Sequence, residues 1–192
     1  MIQNKKTNNI KKVLLFSLFL IAIISFGFFI FTKNNDIITL TKTNMNLSSS
    51  AFENGGEIPS IYTCHGSGNH PPFTISNIPK GTMSLAMIVD DPDAPSGDFV
   101  HWVVWGISPE VREIDGHLPS GAVEGENSVS ESGYFAPCPP SGTHHYRFTL
   151  YSLDKKLELS EDTNKLELEE AMVGNVIEQA ELVGLVSANP LP

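Results

Sequence analysis

Residues 84–107 read Ser84-Leu85-Ala86-Met87-Ile88-Val89, then Asp90-Asp91-Pro92-Asp93-Ala94-Pro95-Ser96-Gly97, then Asp98-Phe99 and Val100-His101-Trp102-Val103-Val104-Trp105-Gly106-Ile107. The first block is an almost unbroken apolar run of strand length, which fits a strand buried on both faces. The last is a second such run, dense in Val and Trp, residues that suit a pleated and buried surface. The block between them carries the Asp, Pro and Gly of a turn. Two buried strands joined by a polar turn place the centre of a β-rich domain here. The three carboxylates Asp90, Asp91 and Asp93 are either a solvated turn or part of a site, because an unpaired carboxylate beside a core is costly.

Outward from this centre the pattern stays β. From Tyr146 to Leu153 the chain alternates, with Tyr146, Phe148 and Leu150 on one face and Arg147, Thr149 and Tyr151 on the other. Pro and Gly clusters at 54–60, 65–72, 92–97 and 137–142 punctuate the strands. One segment reads as a helix. Asn164 caps it, Glu167 completes a capping box, Leu168, Ala171 and Met172 share a face, and Gly174 ends it. The expected fold is mostly β, two packed sheets with little helix.

The chain has 192 residues, room for one domain and a tail, and no internal repeat is visible. Residues 1–31 read as a membrane anchor or signal segment, 32–46 as a linker rich in Thr, Asn and Lys, and 47–192 as the domain. Lys5, Lys6, Lys11 and Lys12 precede the uncharged, mostly apolar run Val13–Phe31, which is long enough to span a bilayer. The lysine bias places the N-terminus in the cytoplasm and the domain outside it. The alternative is cleavage at the small residues of Ser25-Phe26-Gly27, leaving a secreted or periplasmic domain. From Asp36 onward 7 basic and 22 acidic residues leave the body at −15. That charge repels phosphate backbones, so no nucleic-acid partner is expected, whereas one small anion in a local pocket remains compatible.

No G-x-S-x-G elbow, P-loop, H-E-x-x-H or G-x-G-x-x-G occurs, so no enzyme activity and no cofactor are expected. Polar groups do gather near strand ends: the aspartates after 89, His101, and His144 with Tyr146, which share a face because they stand two apart on a strand. A lone His101 between Val100 and Trp102 also reads as a core histidine with one satisfied hydrogen bond. His101, His144 and Asp91 would make a two-His, one-carboxylate metal set, but such scattered ligands are a weak pattern, and no metal is expected. Cys64 and Cys138 are the only cysteines. Export would permit a disulfide between them, and two buried free thiols are the alternative.

Taken together, Asp91-Pro92-Asp93-Ala94-Pro95, His101-Trp102-Val103-Val104, Gly133-Tyr134, Pro137-Cys138-Pro139-Pro140 and Gly142-Thr143-His144-His145-Tyr146 resemble the signature of the phosphatidylethanolamine-binding protein (PEBP) family, in its bacterial and archaeal Raf-kinase-inhibitor-like branch. Tyr62-Thr63-Cys64 and Ala180-Glu181-Leu182-Val183-Gly184 extend the resemblance over about residues 47–186. It implies a large central antiparallel sheet packed with a smaller one and a few short helices. It also implies an anion-binding pocket at one end of the sheet, lined by Asp91, His101, Pro139, His144 and Tyr146 with Ala136 on its loop. The ligands it implies are small phosphate-type head groups. The alternative it carries is an interaction module that inhibits a protease or kinase through its surface. Three positions depart from the family pattern: His65 where Asp usually stands, Ala136 where Gly does, and His145 where Arg does. Ala136 would narrow the pocket, or shift its loop if the usual Gly has positive φ.

Overall fold

The structure is a computed structural model and describes residues 44–188. The anchor or signal segment at 1–31 lies outside the described residues, as does most of the linker. Among the described residues no helix is long and apolar enough to cross a membrane.

Among the described residues, nine strands form two sheets. The small sheet holds β1 (Asn46–Ser48), β3 (Phe73–Ser76) and β6 (Glu113–Ile114), all antiparallel, in the order β1-β3-β6. The large sheet holds β2 (Gly56–Glu57), β4 (Ser84–Asp91), β5 (Phe99–Ile107), β7 (Val123–Glu124), β8 (Thr143–Leu153) and β9 (Val176–Ser187). Its order is β2-β9-β8-β4-β5-β7, antiparallel throughout except for the short edge pair of β2 with β9. Among the described residues one helix, α1 (Lys165–Met172), and a 3-10 turn at Ser60–Tyr62 complete the fold. The expected mostly β fold of a large and a small sheet is what forms.

β4 is buried along its whole length because the large sheet is covered on both faces. Leu85, Met87 and Val89 pack with Trp102, Phe148 and Leu182 toward Leu47, Phe73 and Ile75 of the small sheet. Ala86 and Ile88 pack on the other face with Val103, Trp105, Leu153, Leu157, Leu168 and Met172, under α1 and the segment before it. A fully buried side chain of this size contributes about 1.5–3 kcal/mol. Alternation along β8 follows the sequence, with Tyr146, Phe148 and Leu150 buried. Helix α1 carries the expected capping box between Asn164 and Glu167, and Gly174 follows it at φ 77°.

The domain starts slightly earlier than its composition suggests. Asn46 opens β1 opposite Ser76, and Met45 is buried in the core. Residues 45 and 46 look like linker because they continue a polar tract, and only packing against the small sheet claims them.

Candidate functional site

β4 ends, and β5 and β8 begin, at the same end of the large sheet, so the aspartate turn meets the start of both neighbouring strands. Side chains alternate, so Asp90 and Asp91 leave β4 on opposite faces. Asp90 lies on the helix face, buried, where Arg147 Nε donates to Oδ1 at 2.7 Å and Lys165 Nζ to Oδ2 at 2.5 Å. Both cations also reach Asp98. Asp91 lies on the other face and accepts from His144 Nδ1–H at 2.6 Å, with both side chains buried. Asp93 stays at the surface and accepts from the backbone N–H and Nδ1–H of His145, at 2.9 and 2.7 Å. The imidazole of His145, then its backbone N–H, holds the Asp93 carboxyl below its usual range. Each carboxylate of the cluster therefore has its own cationic or N–H partner.

His101 enters the site by an irregularity. Val89 pairs with Trp102 but Asp90 with Val100, so His101 is the extra residue of a β-bulge. Strict alternation would place His101 with Val103 on the helix face. The bulge turns it toward the side of Phe99 and Asp91 instead, a common use of bulges beside functional sites. There His101 Nδ1–H donates to the Phe135 carbonyl at 2.6 Å. A carbonyl can only accept, so Nδ1 carries the proton and Nε2 is the nitrogen left over. Burial pushes the His101 pKa below its ordinary 6.5, against the upward pull of the Phe135 carbonyl and Asp91.

These groups line a cavity of about 280 Å³ together with Tyr146 and Pro139. Burial, and then the charge of Asp91, pushes the Tyr146 phenol up, so it keeps its proton. Phe99 and Phe135 form an aromatic wall with ring centroids 5.6 Å apart. At about 280 Å³ the cavity falls at the small end of ligand pockets, which run about 300–1,000 Å³.

Five of the six residues expected at the site converge: Asp91, His101, Pro139, His144 and Tyr146. Ala136 does not join the lining. Its backbone is not among the positive-φ positions, and its methyl faces Gly68 instead. The substitution for Gly therefore costs the pocket no space. The Ser141-Gly142 turn also stays out of the lining. Phe99 and Phe135 were not expected. Phe99 has a sequence signal, since it faces Asp91 across the ladder, but Phe135 sits in a loop that carries none.

Cys64 and Cys138 are joined in a disulfide with Cα atoms 5.5 Å apart, and Cys138 borders the cavity. Cys64 N–H also donates to the Pro137 carbonyl at 3.0 Å. His65 lies beside this bridge. With the two cysteines it forms the one cluster of metal-ligand spacing among the described residues, its sulfurs spent in the disulfide. The set of His101, His144 and Asp91 does not converge in that way.

Comparison with known proteins agrees with this architecture. A family model described as phosphatidylethanolamine-binding protein matches residues 48–187. A UPF0098 protein of Methanothermobacter thermautotrophicus is 45% identical over 147 residues, covering 73% of this chain and 97% of its own length. A Mycobacterium tuberculosis protein named "Putative lipoprotein LppC" is 43% identical over 143 residues, covering 73% of this chain and 71% of its own. The crystal structure of the PEBP homologue CT736 from Chlamydia trachomatis superposes with a TM-score of 0.74 at 40% identity, over 77% of this chain and 99% of its own. That of E. coli YbcL, described as a new member of the mammalian PEBP family, gives 0.71 at 29% identity, over 76% and 99%. With the family match spanning nearly all of the described residues, the chain belongs to the phosphatidylethanolamine-binding protein family.

Proposed function

We propose that this protein binds small phosphate-bearing ligands in the His101–His144 cavity, in a domain held outside the cytoplasm at a membrane. The observation that carries the reading is the arrangement of the two imidazoles. Each has Nδ1 committed to a fixed acceptor, so each offers Nε2 to a ligand. His101, kept neutral by burial, presents an Nε2 lone pair that accepts from a P–OH group. His144, its Nδ1 held by the Asp91 carboxylate, leaves its own Nε2 for the ligand. Tyr146 adds a hydroxyl donor. The aromatic wall of Phe99 and Phe135 suits an ammonium group, as in phosphorylethanolamine. Membrane attachment draws on the lysine-flanked run Val13–Phe31 and on the lipoprotein name of one relative.

Calorimetry with phosphorylethanolamine on the wild type, His144→Ala and His117→Ala tests the site. His117 is exposed and outside the cavity. Loss of one charge-assisted hydrogen bond in His144→Ala is expected to cost about 1.5–3 kcal/mol, about 10- to 150-fold in affinity, with His117→Ala unchanged. Equal affinities in all three would move the function to the outer surface, as in the inhibitor reading.

A further inference from the structure

The end of the large sheet opposite the cavity carries features that the binding site does not use. β4 starts there at Ser84, β8 finishes at Leu153, and β9 starts at Val176. Four large apolar side chains are exposed at this end: Met83 (50%), Val173 (76%), Val176 (42%) and Ile177 (41%). Met83 N–H bonds to the Leu153 carbonyl, and Val176 is the ladder partner of Leu153, so Met83 and Val176 flank the end of β8 on either side. Isolated exposed apolar residues need no explanation, but a cluster of four marks a contact surface.

The charges divide the same way. Of the basic residues after Asp36, Lys42 lies outside the described residues. Arg147 and Lys165 are spent in ion pairs at the cavity end, and the guanidinium of Arg112 donates to the carbonyls of Pro109 and Val111. The other three, Lys80, Lys155 and Lys156, are exposed and have no ion pair among the described residues. Lys80 belongs to the turn leading into Met83, and Lys155 and Lys156 follow directly on the end of β8. Asp154, Glu158, Glu170 and Glu178 also stand at this end, where the three lysines offset part of the charge of a body at −15.

The chain also enters the domain at this end. Met45 N–H donates to Glu178 Oε1 at 3.1 Å, two residues from Val176. Residues 32–43 connect this point to the apolar run Val13–Phe31. The eight residues of β4 carry the cavity roughly 26 Å further along the sheet.

We propose that this end of the sheet is a lipid-docking face. In this arrangement Met83, Val173, Val176 and Ile177 rest in the interfacial layer of the bilayer, with Lys80, Lys155 and Lys156 toward the headgroup phosphates. The inference rests on the anchored reading of the N-terminal segment. It deepens the binding proposal as well, because the cavity then faces away from the bilayer and samples soluble phosphate-bearing ligands rather than the headgroups beneath it.

The test uses the full chain reconstituted in phosphatidylcholine vesicles, with a fluorescent side chain introduced at position 173 or at position 141 and an acceptor on the lipid headgroups. Docking predicts severalfold greater energy transfer from 173 than from 141. The substitutions Met83→Ser, Val176→Ser and Ile177→Ser should abolish that difference while the chain stays with the vesicles. Equal transfer from both positions in a chain that resists carbonate extraction overturns the docking face alone. A chain that carbonate releases overturns the anchored reading and the inference with it. Transfer between chains labelled at 173 would assign the patch to a second copy, which also overturns it.

Discussion

The bridge between Cys64 and Cys138 closes a loop of 74 residues that contains β3 through β7. Loop-closure entropy for that length is about −15 cal/mol/K, so the bridge should stabilise the domain by about 4 kcal/mol at 25 °C. For a domain of this size, 1 kcal/mol moves Tm by about 2–4 °C. The variant Cys64→Ser/Cys138→Ser should therefore melt roughly 8–16 °C below the wild type. Tryptophan fluorescence reads the transition well, because Trp102 and Trp105 are both buried on opposite faces of the large sheet. Reduction of the wild type by a phosphine should reproduce the shift. A chelator belongs in that arm, since the freed thiols and His65 would form a cluster able to hold a soft metal. Because Cys138 borders the cavity, the reduced protein should also bind phosphorylethanolamine more weakly. If oxidised and reduced proteins melt within about 2 °C of each other, the chain-entropy account of this bridge is wrong.

Asp91→Asn keeps the shape of the site but replaces the carboxylate that orients the His144 ring with a neutral amide, so phosphorylethanolamine affinity should fall about tenfold, read by calorimetry. His101 is depressed below its ordinary 6.5 in the folded state, so the unfolded chain takes up that proton first. Its contribution to stability is full above pH 6.5 and is lost as pH falls toward the folded value; urea midpoints at several pH values should show that slope, and His101→Gln should flatten it. Gly184→Ala places a methyl 2.5 Å from Ile58 Cγ1 and 2.8 Å from the Phe52 ring, and should destabilise by about 1–3 kcal/mol in urea unfolding.

Patterns that repeat over many residues were readable from sequence. The run 84–89 announced a strand buried on both faces, and the alternation of 146–153 announced which of its side chains share a face. The capping box at Asn164 and Glu167 set the helix start. Two-residue strands such as β2, β6 and β7 carry no period, and tertiary pairing alone defines them. The site was readable through motif residues and the shared face of His144 and Tyr146. The position of His101 was readable only as a motif match, because periodicity alone sends it to the wrong face and the bulge that corrects this has no local signature. His145 looked like a bystander in the family pattern. It is the partner that holds Asp93, a contact between residues 52 positions apart.

The pairing of each aspartate also explains how a body at −15 can offer an anion site, and it yields an unusual salt dependence. Asp90 is neutralised by Arg147 and Lys165, Asp91 is paired with the imidazole of His144, and Asp93 is held by His145. Short-range hydrogen bonds at the cavity are thus favourable, while the remaining acidic surface repels an approaching anion at long range. Screening reaches inward to about 10 Å at 0.1 M salt and about 3 Å at 1 M. Added salt should remove the repulsion and leave the buried hydrogen bonds almost intact. The association rate of a dianionic phosphomonoester should therefore rise with ionic strength, measured in sodium chloride by stopped flow, whereas that of zwitterionic phosphorylethanolamine should change less. Lysine- or arginine-steered anion sites behave in the opposite sense, with rates that fall as salt is added. A falling rate here would mean that the cations of the Asp90 network, and not the two imidazoles, draw the ligand in.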